Sequence, residues 1–115
     1  MGYRKMRFPI RTANKVEYRD GYTFDACFSD GTLFEVGVFK NGKKQWNVTE
    51  LNTGLALCYG VTRVDAVKKF QDVYLSKLER MVYSKEHYSC VPGCYENFYE
   101  HETAKFQAML KEGAK

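Results

Sequence analysis

Residues 22–59 read YTFDACFSDGTLFEVGVFKNGKKQWNVTELNTGLALCY and contain four short segments separated by turn residues. In the first segment, residues 22–28, every second side chain is apolar: Tyr22, Phe24, Ala26 and Phe28. This period of two predicts a strand with one buried face. Turns are predicted by three short motifs: Ser29-Asp30-Gly31, the hairpin signal Asn41-Gly42, and Asn52-Thr53-Gly54. We therefore expect a meander of four antiparallel strands.

The three later strands, at about residues 32–40, 44–51 and 55–59, follow the same alternation. Their predicted inward-facing side chains are Phe34, Val36, Val38, Trp46, Val48, Leu55, Leu57 and Tyr59. The predicted outer face combines two apolar side chains with polar and acidic ones: Leu33, Phe39, Asp25, Glu35, Gln45, Asn47 and Thr49. Residues 3–12 predict a further leading strand, in which Pro9 suits a sheet edge because proline cannot donate a ladder hydrogen bond.

Two amphipathic helices are predicted after the sheet. Thr62, followed three residues later by Asp65, is typical of a helix N-terminus. Apolar side chains then recur every three or four positions: Val64, Val67, Phe70, Tyr74, Leu78, Met81 and Val82. This stripe predicts a helix at about residues 62–88 that lies across the inner face of the sheet. Beyond the breaker pair Pro92-Gly93, a second helix is predicted at about residues 95–112, with one shared face: Phe98, Tyr99, Phe106, Met109 and Leu110.

The fold class follows from this order of elements. We predict a single α+β domain, residues 1–115, with a four- or five-stranded antiparallel sheet at about residues 3–60. A long helix packs on one face of the sheet, and a second helix ends the chain. At 13.4 kDa, with 44% hydrophobic and 28% charged residues, the composition is that of a packed globule and excludes a multidomain enzyme. With no apolar run of about 20 residues and no secretory signal, we expect no membrane association and a cytoplasmic location.

The positive charge is distributed unevenly. The net charge is +4, and most of the excess lies in residues 1–19 and on the long predicted helix. Cations that could contact phosphates or an acidic partner are Arg4, Lys5, Arg7, Arg11, Lys43, Lys44, Arg63, Lys68, Lys69, Lys77, Arg80 and Lys85. The alternative is an ordinary mixed-charge surface, because the helix also carries Asp65, Asp72 and Glu79.

One cluster has the residue types of a zinc site. His87, Cys90, Cys94 and His101 lie within fifteen positions around the Pro92-Gly93 turn, although their spacing is not that of a standard zinc finger. The alternatives are ordinary reduced thiols and surface histidines, or a disulfide between Cys90 and Cys94. Zinc is the one cofactor for which the sequence offers candidate ligands.

Signatures of catalysis are largely missing from the sequence. The chain has no nucleophile-elbow motif, no phosphate-binding glycine loop and no His-Glu-x-x-His motif. Asp25 and Glu35 are expected to face each other on neighbouring strands, but such a pair on an exposed sheet is ordinarily just solvated. We therefore predict a protein that is not an enzyme and has no catalytic residues.

Four tyrosines surround the predicted turn between the helices. Tyr83, Tyr88, Tyr95 and Tyr99 would suit the hot spot of a protein interface. The alternative is that they close a helix hairpin.

A longer pattern carries a resemblance to known proteins. Over about residues 32–82, the run Trp46 … Thr53-Gly54-Leu55 … Gly60-Val61-Thr62-Arg63-x-Asp65-Ala66 resembles the sheet-then-helix arrangement of small accessory proteins of bacteriophages and mobile elements. It is loosely similar to the arm-type DNA-binding domain of tyrosine integrases, whose sheet reads the major groove with basic and polar residues. The chain differs there, since the matching face carries Asp25 and Glu35. Small phage proteins of this size and style include the anti-CRISPR proteins.

Two functional hypotheses follow. The first is a phage or mobile-element accessory protein, anti-CRISPR-like, that binds and inhibits a host protein or protein–nucleic-acid complex of nucleic-acid-processing defence. The second is a small DNA- or RNA-binding protein that uses the basic N-terminal segment and the long helix.

Overall fold

The computed structural model describes residues 2–12, 15–83 and 98–113. These residues form five strands, namely β1 (Arg4–Thr12), β2 (Lys15–Cys27), β3 (Leu33–Lys40), β4 (Trp46–Glu50) and β5 (Ala56–Gly60). The helical elements are α1 (Arg63–Lys69), a π turn (Phe70–Tyr74), α2 (Leu75–Val82) and α3 (Phe98–Gly113). The strands pair in chain order and every pair is antiparallel. The predicted α+β class is confirmed, and the leading strand makes it a five-stranded sheet.

The leading hairpin is longer than the sequence predicts. β2 begins at Lys15 rather than near Tyr22, and it pairs with β1 from Thr12↔Lys15 to Arg4↔Thr23. Residues 15–20 are mostly charged, so their own pattern gives a weak strand signal. Pairing with β1 makes them a strand.

The main core lies between the sheet and the helix that follows it. Its fully buried side chains come from both layers: Phe24, Val36, Val38 and Val48 on the strands, and Ala66, Phe70 and Leu78 on the helices. The rings of Phe24 and Phe70 meet edge to face with centroids 6.0 Å apart. The Oγ1 of Thr62 accepts a hydrogen bond from the Asp65 N–H at 3.1 Å, which confirms the predicted helix start. The predicted part of this helix beyond residue 83 lies outside the described residues.

Two predicted inward-facing residues point elsewhere. Tyr59 was predicted to face inward but is 62% exposed, while Cys58 is buried. The reason is a bulge: Val48 pairs with Cys58 but Thr49 pairs with Ala56, so the β4–β5 register shifts within the strand. Val64 is also exposed, because Ala66, Val67 and Phe70 define the face that α1 buries.

The outer face of the sheet is partly covered, which corrects the expectation of a polar, solvated surface. Phe8, Ile10 and Phe39 form a second small core there with Leu51. The Phe8 ring lies directly over Gly37, where a Cβ would come within 2.7 Å of it. The end of β1 reaches the β4–β5 turn, since the Arg11 N–H donates to Gly54 O at 3.0 Å.

α3 packs against that same turn. Phe106 is fully buried, and its ring occupies the space beside Gly54, whose φ of +71° suits glycine. Tyr99 is also buried and its ring lies 6.0 Å from that of Phe34, so the predicted apolar face of α3 is confirmed at these two residues. Among the described helices, none is long and apolar enough to cross a bilayer.

Candidate functional site

A groove runs along the outer edge of β5. Its larger part, about 700 Å³, lies between β5, the start of α1 and the π turn. It is lined by Lys44, Gln45, Tyr59, Gly60, Val61, Asp65, Lys68, Lys69, Asp72 and Val73. A second cavity of about 220 Å³ continues along the strand and is lined by Ala56, Leu57, Cys58, Tyr59, Lys69 and Tyr74. We call the two cavities together the β5 groove; every residue of β5 lines it.

Lys69 lines both parts of the β5 groove. Its Nζ donates a hydrogen bond to Tyr59 O at 3.0 Å and lies 5.8 Å from the centre of the Tyr59 ring. The lysine therefore spans the groove from α1 to the edge of the sheet. Its ammonium group occupies a backbone acceptor that a neighbouring strand would otherwise use.

The β5 groove exposes apolar surface. Tyr59, Val61 and Val73 are 62%, 60% and 45% exposed and lie together in the larger cavity. Val73 belongs to the π turn, a local geometry that is often found at functional sites. The rim carries three lysines, Lys44, Lys68 and Lys69, against two aspartates, Asp65 and Asp72.

The basic N-terminal segment is largely engaged within the molecule. Arg4 bridges Asp25 and Glu35 at 3.0 and 2.6 Å, and these two carboxylates do face each other across β2 and β3 as expected. The hydrogen bond to Asp25, and to a smaller extent the one to Glu35, raises the pKa of Arg4. The pair is thus an exposed ion-pair network around one arginine.

The other predicted N-terminal cations differ in exposure. Arg11 forms an ion pair of 2.6 Å with Glu102, and the two side chains are only 7% and 13% exposed. Arg7 lies 5.7 Å from the centre of the Tyr18 ring. Lys5 is exposed and lines a separate small cavity. Arg11 therefore faces α3 rather than a partner.

The predicted helix cations point in several directions. Lys77 lies 5.1 Å from the centre of the Tyr74 ring, and Arg63 stacks over Tyr3 and Tyr22 at 4.8 and 4.6 Å. Arg80 and Lys43 are exposed. Of the predicted binding residues, the structure brings Lys44 of the hairpin together with Lys69 of the helix, and Lys68 lies beside them.

The other predicted sites are only partly described. His87, Cys90, Cys94, Lys85, Tyr88 and Tyr95 lie outside the described residues. His101 is on α3, and no group of possible metal ligands occurs within residues 2–12, 15–83 and 98–113. Tyr83 is half exposed and donates from its hydroxyl to Asp30 at 3.0 Å, whereas Tyr99 is buried.

A buried carboxylate near α3 was missed by the sequence analysis. Glu50 is fully buried and accepts hydrogen bonds from the backbone N–H groups of Asn52 and Thr53 at 2.6 and 2.8 Å. Burial raises its pKa, although those hydrogen bonds oppose the effect. Burial and the nearby charge of Glu50 raise the pKa of Tyr99 to about 12. The available signal was an acidic residue two positions before the Asn52-Thr53-Gly54 turn, whose Asn52 and Thr53 amides it binds.

The raised pKa of Glu50 predicts a specific pH dependence. Glu50 holds its proton more tightly in the folded chain than in the unfolded chain. Its contribution to the free energy of unfolding is therefore complete below its pKa in the unfolded chain and is lost as pH rises through its pKa in the folded chain. Glu50→Gln removes this titration. It also replaces one of the two carboxylate oxygens by an NH2 group, so either the Asn52 or the Thr53 backbone N–H faces another donor and loses its acceptor. At acidic pH we therefore expect Glu50→Gln to be less stable than the parent by about 1–3 kcal/mol, and the gap should narrow as pH rises.

Urea unfolding from about pH 4 upward measures this difference. Glu112→Gln is the matched control, because Glu112 is exposed on α3. Its unfolding free energy should stay close to that of the parent, because the side chain is exposed. A constant gap between Glu50→Gln and the parent across the range would contradict the prediction.

Comparisons with known proteins add no relative. The chain matches no protein-family model, no curated protein and no solved structure. The functional proposal therefore rests on the geometry of the β5 groove.

Proposed function

We propose that this chain is a non-enzymatic binding protein that engages a host protein, or the protein part of a protein–nucleic-acid complex, through the β5 groove. The observation that carries the proposal is the cluster of exposed apolar side chains, Tyr59, Val61 and Val73, inside a groove rimmed by lysines. Protein interfaces combine an apolar centre with a polar rim in this way. Tyrosine is also among the residues that most often dominate binding energy.

The biological setting follows the resemblance to phage accessory proteins. An anti-CRISPR-like inhibitor acts by occupying a surface of a nucleic-acid-processing defence complex, and this requires a binding surface rather than catalytic groups. In a host cytoplasm, the lysine rim would complement acidic side chains on such a partner. Steric occupation through the β5 groove is the mechanism we propose for inhibition.

A capture experiment tests this function. The tagged chain is incubated with host lysate at low and high salt, with and without nuclease, beside a groove variant, Tyr59→Ser/Val61→Ser. Both residues are exposed, so the variant should fold. The matched control is Tyr18→Ser/Leu33→Ser, in which an equally exposed tyrosine and aliphatic residue are removed elsewhere.

We expect one protein partner to survive nuclease and high salt with the parent and the control. The groove variant should bind that partner at least roughly 30-fold more weakly, the equivalent of about 2 kcal/mol for the loss of a hot spot. If the groove variant and the control variant bind the partner equally well, the interface lies outside the β5 groove.

Direct binding of nucleic acid remains the second candidate for one reason. The fold brings the hairpin cation Lys44 beside Lys68 and Lys69 of the helix, as a phosphate-binding surface requires. Asp65 and Asp72 in the same lining weaken that surface, and Arg4 and Arg11 are held by acidic partners. Recovery of nucleic acid alone, lost at high salt, would favour this candidate over the first.

A further inference from the structure

We propose that the β5 groove binds an extended, acidic peptide segment of its partner, which adds as a sixth strand to the free edge of β5. The inference rests on the proposed function, since it names the kind of partner surface that the groove accepts. Strand addition is a common mode of peptide recognition, in which backbone hydrogen bonds supply affinity and side-chain pockets supply specificity.

β5 lies at one edge of the described sheet. β5 is the last strand in the sheet order and pairs with β4 on one side. On its other side, within the described part of the chain, lies the β5 groove rather than another strand. β5 has five residues, which corresponds to an added segment about 17 Å long.

The backbone of Tyr59 faces the groove at this edge. Tyr59 O points into the groove, because it accepts the hydrogen bond from Lys69 Nζ. In a strand the N–H and C=O of one residue point to the same side, and the pattern repeats every two residues. Tyr59 therefore presents both its N–H and its C=O to a sixth strand, while the bulge at Leu57 interrupts the alternation further along β5.

Lys69 covers the Tyr59 acceptor at the edge of the sheet. A lysine at a sheet edge is a known protection against unspecific strand pairing. When a peptide pairs with β5, a peptide N–H replaces Lys69 Nζ at Tyr59 O. The released ammonium group then needs a carboxylate, which an acidic side chain of the peptide supplies.

The charge of the rim distinguishes between possible occupants. A second copy of the chain paired edge to edge through β5 would bring Lys44, Lys68 and Lys69 of one copy towards those of the other. Like charges at close range oppose that arrangement. An acidic segment with alternating apolar residues fits better, because carboxylates meet the lysines while apolar side chains meet Val61 and Val73.

Synthetic peptides provide the test with the full-length chain. The probes are a capped six-residue peptide of alternating Glu and Val, its Lys-Val counterpart, and the Glu-Val peptide N-methylated at every second residue. Binding is followed by amide NMR shifts and hydrogen exchange. We expect the Glu-Val peptide to bind at least tenfold more tightly than the Lys-Val peptide and to slow exchange of the Tyr59 amide.

Two controls separate strand addition from simple charge pairing. The N-methylated peptide keeps the charges but loses donors, so it should fail to protect the Tyr59 amide from exchange. Lys69→Gln should lower the affinity for the Glu-Val peptide three- to tenfold. Lys111→Gln, at an exposed site on α3, should leave that affinity unchanged.

Several outcomes would overturn the inference. They are no binding of the Glu-Val peptide, binding that N-methylation does not affect, and concentration-dependent β5 pairing between two copies without peptide. If the groove variant loses its partner in the capture experiment while these peptides leave the Tyr59 amide unprotected, strand addition is wrong and the proposed function stands. If the partner is retained by the groove variant, the proposed function itself fails.

Discussion

Replacing Arg11 with methionine should destabilise the fold by about 3–5 kcal/mol, because it leaves the buried carboxylate of Glu102 without its partner. The ion pair of 2.6 Å joins β1 to α3, and its two side chains are almost completely enclosed. The double variant Arg11→Met/Glu102→Met should recover most of the loss, since it removes both charges. Urea unfolding of the parent, both single variants and the double variant forms a double-mutant cycle.

Arg4→Met is the matched control for this cycle. Arg4 also pairs with carboxylates, but it is half exposed, and water and salt screen such pairs. Its removal should change the urea midpoint far less than the removal of Arg11. Equal shifts for the two variants would show that the Arg11–Glu102 pair is not enclosed in solution.

Phe106→Ala should cost about 3–5 kcal/mol, as expected for a large aromatic side chain removed from a buried site. Phe106 fills the space beside Gly54, and with Tyr99 and Glu102 it holds α3 on the sheet. The loss should be accompanied by faster hydrogen exchange throughout α3, while the amides of β2 and β3 stay protected.

Met109→Ala, at a half-buried site on the same helix, controls for general weakening of α3. It should produce a smaller loss and a smaller change in exchange. Uniform acceleration of exchange across the sheet in Phe106→Ala would contradict the idea that α3 is released separately.

These two predictions concern a part of the molecule distinct from the β5 groove. Neither Arg11 nor any residue of α3 lines the groove. Under conditions where the variants remain folded, partner capture through the groove should therefore survive them. This separates loss of stability from loss of binding.

Part of the candidate site was recognisable from the sequence. Lys44 and Lys69 were identified as exposed cations because a hairpin turn and an amphipathic helix place lysines at the surface. Tyr59 was missed, since simple alternation along residues 55–59 places it inside. Val61, which follows Gly60 outside any periodic segment, carried no signal at all.

The sequence by itself determined the order of the described elements, the positions of the three turns between β2 and β5, and the start of α1. These features depend on local chemistry: side-chain alternation, positive φ at Gly42 and Gly54, and the capping hydroxyl of Thr62. Tertiary structure alone decided that Tyr59 faces out, that Glu50 is buried, and that Arg11 meets Glu102, 91 positions away in the chain. A register shift or a distant ion pair depends on which segments pack together, and no short window of sequence contains that information.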